Sequence, residues 1–187
     1  PAYNKPTQEG IYRHYKAVAE STELPIILYN VPGRTASNME AETTLRLAND
    51  FENIIAVKEA SGNLDQVSTI IQNKPASFLV ISGDDALTLP LMALGCDGVI
   101  SVIANGFPRE FSELVRYAAS GGYRSAKGNH YKLLEMMRLI FKEGNPGGIK
   151  SALKHRGICG DQLRLPLYRI SDTLAKTIAA ETDKIIG

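Results

Sequence analysis

The chain alternates short β-branched apolar runs with longer stretches in which apolar residues recur three and four positions apart. The first pattern fits buried strands and the second amphipathic helices. Ile11, Tyr12, Tyr15, Val18 and Ala19 share one face of a predicted helix over residues 8–20, with Thr7 as its candidate cap. The run Pro25-Ile26-Ile27-Leu28-Tyr29 predicts a strand. A helix over 39–48, capped by Asn38, then leads to a strand at 53–58. A helix at 64–72, a strand at 78–82, a helix at 86–94 and a fourth strand at 98–102 follow. Beyond Pro108 the spacing is helical throughout, over 109–119, 125–141, 149–155 and 171–185. Gly121-Gly122 and Asn145-Pro146-Gly147-Gly148 punctuate those helices, the second with Asn145 as cap and Pro146 at the first helical position.

Strand-then-helix units with no hairpin signal between them imply an α/β fold with a parallel sheet. Neither a GxGxxG nor a Walker loop follows any of the strands, so half of an eight-stranded (β/α)8 barrel is favoured over an open nucleotide-binding sheet. The expected division is a partial barrel over 1–120 and a helical region over 121–187. Asn30, Lys58, Gly83 and Ser101 end the strands and lead into polar or glycine-containing loops. Ligands bind at that edge of such sheets.

Charge and cysteine usage narrow the function. The 187 residues are 44% hydrophobic and 22% charged, with 21 Lys and Arg against 20 Asp and Glu. Without a strong field of either sign, nucleic acid and an anionic membrane surface are poor partners. No apolar run approaches the roughly 20 residues of a membrane span. Cys96 and Cys159 lack CxxC spacing and there are three histidines, which suits reduced thiols in the cytoplasm and neither a disulfide framework nor a metal centre. The first residue is Pro1, within what reads as the middle of a motif, so a segment is expected upstream.

Lys58 closes the apolar strand Ile54-Ile55-Ala56-Val57-Lys58, and strand alternation puts it on the face of Ala56 and Ile54. A lysine amine on an apolar face can attack a carbonyl to form a Schiff base, because desolvation disfavours the ammonium. A solvated strand-end lysine fits the same spacing. Tyr29 holds the matching place on the preceding strand, as a proton relay or as a core aromatic whose hydroxyl reaches water. Arg34, in Asn30-Val31-Pro32-Gly33-Arg34-Thr35, offers a planar fork to a carboxylate or simply faces solvent. Gly83 permits close approach to backbone. Asp84 and Asp85 after it read as helix-opening acids rather than a metal site.

Taken together, Tyr-Asn-Val-Pro-Gly-Arg-Thr (29–35), Val-Lys-Glu-Ala-Ser-Gly (57–62), Ser-Gly-Asp-Asp (82–85) and Gly-Val-Ile-Ser-Val (98–102) closely resemble the dihydrodipicolinate synthase family. The opening ten residues and Leu163-Arg164-Leu165-Pro166 fit the same family. The resemblance implies strands five to eight of a (β/α)8 barrel followed by C-terminal helices, in a cytoplasmic homotetramer built as a dimer of dimers. It implies that Lys58 forms an imine with pyruvate, that Tyr29 shuttles protons, and that Arg34 holds the carboxylate of aspartate semialdehyde. Gly83 and Ile100 become backbone contacts of the pyruvate site. Tyr3 becomes the tyrosine that reaches across a dimer interface to complete the proton relay. No cofactor and no metal are implied. Ala2 stands where lysine-inhibited members have tyrosine, and Gly147-Gly148 where an Ile-Pro pair is common. Another pyruvate-dependent lysine aldolase, such as N-acetylneuraminate lyase, and a non-catalytic fragment are the competing readings.

Overall fold

The computed structural model describes residues 4–187, so the predicted role of Tyr3 lies outside the described residues, as does Ala2. Two compact units divide the chain, one running to Ile100 and the other spanning Ser101–Gly187.

The first unit is a parallel α/β sheet. Strands β1 (Ile26–Asn30), β2 (Ile54–Glu59), β3 (Leu79–Ser82) and β4 (Gly98–Val99) lie in sequence order, each hydrogen-bonded in parallel to the next. Helices α1 (Gln8–Glu20), α2 (Pro32–Thr35), α3 (Ala41–Asp50), α4 (Leu64–Asn73) and α5 (Thr88–Leu94) precede and connect them. Helix α1 begins as its sequence requires, with Thr7 Oγ1 accepting the Gly10 N–H at 3.2 Å. Its Ile11, Tyr12 and Ala19 are buried, and α1 packs on α3, which in turn meets α4 and β2.

The register separates two faces. Leu28, Val57 and Val80 align across β1, β2 and β3 and are fully buried. Each side chain removed from water in this way contributes about 1.5–3 kcal/mol. On the other face Tyr29, Lys58, Ile81 and Gly98 form a row. There Ile27 and Leu79 are 44% and 40% exposed. A bulge between Ile26 and Ile27 skips Ile55, so Ile54 aligns with Ile26 while Ala56 aligns with Ile27. Strand alternation therefore ties Lys58 to Ala56 as expected, but not to Ile54.

Several boundaries differ from the sequence expectations for local reasons. Segment 30–35, read as a loop, contains α2, which starts at Pro32 and ends where Ala36 turns left-handed at φ 52°. Asn38 caps nothing, and α3 starts later, at Ala41. The fourth strand is only two residues long, although Ile100 N–H still donates to Ser82 O at 3.0 Å.

The second unit is helical, as expected. A 3-10 turn (Ile103–Asn105) leads to α6 (Pro108–Ala119), α7 (Tyr123–Leu139), α8 (Gly147–His155) and α9 (Asp172–Ile186). Helix α6 packs along α7, α8 packs on α9, and Phe111, Leu114 and Leu133 are buried. Ser171 caps α9, accepting from Leu174 N–H at 3.2 Å, while its own N–H and hydroxyl donate to Glu143. Pro146, rather than Asn145, occupies the cap position of α8. A Cβ on Gly148 would run into the Ile140 backbone, so helix packing accounts for the glycine there.

Candidate active site

The C-terminal ends of β1, β2 and β3 bring the predicted residues together. Tyr29 and Lys58 are register partners, and Lys58 Nζ lies 4.2 Å from the Tyr29 ring centroid, within the range of a cation–π contact. Tyr29 is 42% exposed and Lys58 half-buried. Behind Tyr29, the phenol of Tyr15 on α1 is pushed up from its ordinary value by burial, an effect opposed by its hydrogen bond to the Tyr29 backbone.

Gly83 sits against Lys58 and the two residues after it. Its N–H donates to Glu59 O at 2.8 Å, prolonging the β2–β3 ladder by one bond. A Cβ at this position would stand 2.8 Å from Ala60 Cβ and 3.2 Å from Lys58 Cε. The close approach that requires glycine is thus first that of Ala60 and the Glu59 carbonyl, with the end of the Lys58 side chain beside them. Asp84 folds back on the turn, its Oδ1 accepting from Ala86 and Leu87 N–H at 2.9 and 3.2 Å. Ile100, 43% exposed, stands just past β4. Arg34 is exposed on α2, and its guanidinium forms no ion pair with the described residues. Lys58 therefore contacts the Tyr29 ring and borders Gly83, whereas Arg34 on α2 and Ile100 past β4 follow the two outer strands of the sheet. Among the described residues, no group of three or more His, Cys, Asp or Glu side chains is placed to hold a metal ion, and no helix is long and apolar enough to cross a membrane.

Sequence reasoning missed what lies on the opposite face of the same strand ends. Asn30, Glu59 and Ser82 align there, and Glu59 is 1% exposed. Its carboxylate accepts from Asn30 Nδ2 at 3.1 Å through both oxygens, from Gln66 Nε2 at 3.1 Å and from Ser61 N–H at 2.8 Å. Asn38, expected to cap a helix, instead donates to Gln66 Oε1 at 2.8 Å and accepts from Asn30 at 2.9 Å. The signal was present as polar residues two positions beyond Leu28 and Val57, on the face those residues bury.

These motifs recur in known proteins. The chain is 61% identical over 167 residues to the 4-hydroxy-tetrahydrodipicolinate synthase of Phocaeicola vulgatus, a match covering 89% of this chain and 56% of that one. It is 62% identical over 167 residues to the enzyme of the same name from Parabacteroides distasonis, with the same coverage. The crystal structure of dihydrodipicolinate synthase from Aquifex aeolicus superposes with a TM-score of 0.95 at 44% identity, over 98% of this chain and 63% of that one. The chain thus spans a little over half the length of the curated relatives named here. The match runs through both units, from residue 1 to residue 184, and by it the chain belongs to the dihydrodipicolinate synthetase family.

Proposed function

We propose that Lys58 forms a Schiff base with pyruvate and that the resulting enamine condenses with L-aspartate 4-semialdehyde, the reaction of 4-hydroxy-tetrahydrodipicolinate synthase. The observation that carries this reading is the placement of the Lys58 amine 4.2 Å from the Tyr29 ring, at the C-terminal edge of a parallel sheet. Schiff-base chemistry needs an amine nucleophile and a group to move protons beside it.

The Lys58 amine attacks the ketone carbon of pyruvate, and loss of water leaves an iminium. That cation withdraws electrons from the neighbouring methyl group, which loses a proton to give an enamine. The enamine carbon adds to the aldehyde, and the amino group of the second substrate displaces Lys58 as the ring closes. In this reading Tyr29 moves the protons, joined by Tyr3. Arg34 pairs with the carboxylate of the aldehyde substrate, for which its fork geometry is suited. Gly83 and Ile100 supply backbone contacts to pyruvate.

The four strands then correspond to strands five to eight of a (β/α)8 barrel, with residues 1–120 in the barrel and 121–187 forming its helical region. The apolar exposure of Ile27, Leu79 and Ile100 on one sheet face supports this, since a closed barrel covers such positions. A cytoplasmic dimer of dimers completes the proposal.

Borohydride reduction in the presence of pyruvate tests it. The intact enzyme should gain one pyruvate-derived group on the peptide carrying Lys58, and labelling of a different lysine would overturn the assignment.

A further inference from the structure

The buried carboxylate of Glu59 has no role in the chemistry above, yet its hydrogen bonds connect the two parts of the site that do not touch each other. Arg34 lies in an excursion that leaves the sheet at Asn30 and returns at Asn38 and Met39. Side-chain hydrogen bonds close the base of that excursion. Asn30 Oδ1 accepts from Met39 N–H at 3.0 Å, and Asn30 Nδ2 donates to Asn38 Oδ1 at 2.9 Å. Gln66 Nε2 donates to Met39 O at 3.2 Å, and Asn38 Nδ2 to Gln66 Oε1 at 2.8 Å.

Glu59 decides how these amides face. The groups turned toward its carboxyl oxygens are all donors, Asn30 Nδ2, Gln66 Nε2 and Ser61 N–H, so both oxygens accept. Each amide must therefore present its NH2 edge to Glu59. That leaves the Asn30 oxygen to receive Met39 N–H and the Gln66 oxygen to receive Asn38. Glu59 is also the residue after Lys58, and its backbone carbonyl accepts from Gly83 N–H at 2.8 Å. The side chain lies on the face opposite the amine, so it does not reach the reacting atoms.

We propose that Glu59 is the positioning residue that holds the Arg34 excursion in place relative to Lys58, and so sets affinity for the carboxylated aldehyde. The inference rests on the reading of Lys58 and Arg34 given above. Glu59→Gln replaces an acceptor-only group by one that also donates, so at least one of the three donors loses its acceptor and the amides are no longer forced into one orientation.

The experiment uses the intact enzyme and two variants, Glu59→Gln and Asn38→Ala. The second loosens the excursion while leaving the Glu59 contacts to Gln66 and Ser61 intact. In both, borohydride trapping of pyruvate on Lys58 should stay within about two-fold of wild type, while the KM for aspartate semialdehyde rises about 10- to 100-fold, the scale expected of a substrate group misplaced by about 1 Å. A merely structural role would lower trapping and condensation together. Parallel loss of both steps in either folded variant, or an unchanged aldehyde KM in Asn38→Ala, overturns the proposal, and Asn38→Ala decides alone if Glu59→Gln does not fold. Failure of wild-type Lys58 to trap pyruvate would instead overturn the catalytic reading itself.

Discussion

Gly83 makes room for Lys58: a Cβ at position 83 would stand 3.2 Å from Lys58 Cε and closer still to Ala60 Cβ. Ala60 and the end of the lysine side chain both pack where that carbon atom would stand, just past the end of β3. Gly83→Ala should lower stability by about 1–3 kcal/mol through overpacking and slow imine formation by about ten-fold or more as the amine shifts. Thermal melting together with the rate of borohydride-trappable adduct checks this. A wild-type trapping rate would show that the lysine accommodates the methyl group without moving.

Arg34 should act on the second substrate rather than the first. Removing one partner of a charge-assisted pair costs about 2–5 kcal/mol, equivalent to roughly 30- to 5000-fold. Arg34→Ala should therefore still trap pyruvate while kcat/KM for the aldehyde falls within that range. Equal loss of both steps would assign Arg34 to holding the site together.

The two thiols should differ sharply in reactivity. Burial pushes the Cys96 thiol up to about 12, with Asp97 and Glu59 adding to the effect, whereas Cys159 is exposed. The thiolate is the reacting form. Alkylation at pH 8 under native conditions should label Cys159 alone, with Cys96 reacting after denaturation. Early labelling of Cys96 would mean that its strand-edge environment opens.

His130 predicts an acid limb of stability. It is buried in α7, and burial lowers its pKa from the ordinary 6.5. The unfolded chain binds this proton at a higher pH than the folded one does. Its contribution is therefore complete above about 6.5 and declines as pH falls from there toward the folded value. His130→Gln should flatten that part of a melting-temperature profile between pH 7.5 and 5. An unchanged slope would place the acid sensitivity elsewhere.

The strand-end pair of Tyr29 and Lys58 was legible in the sequence because strand periodicity is simple and each residue closes an apolar run. The buried row beside it was not. Glu59 follows a lysine and opens a polar segment, which reads as solvent. What permits its burial is Asn30 from β1, Gln66 from α4 and the Ser61 N–H, and no spacing rule links those positions. Asn38 misled for a related reason, since asparagine before a helical stretch fits a cap as well as a core hydrogen-bonding group. The bulge at Ile55 was likewise invisible, because an apolar residue satisfies either face.

The opposed placement of Lys58 and Glu59 also constrains how this strand can change over evolutionary time. A shift of one residue would exchange the faces, sending an ammonium toward Asn30 and Gln66 and a carboxylate beside Tyr29. Both groups would then meet the wrong neighbours, so the misaligned sheet suffers electrostatically as well as through its apolar pattern. The bulge between Ile54 and Ala56 already absorbs one extra residue on the N-terminal side of β2. From Ala56 to Glu59 the length of the strand is as constrained as the identity of its lysine.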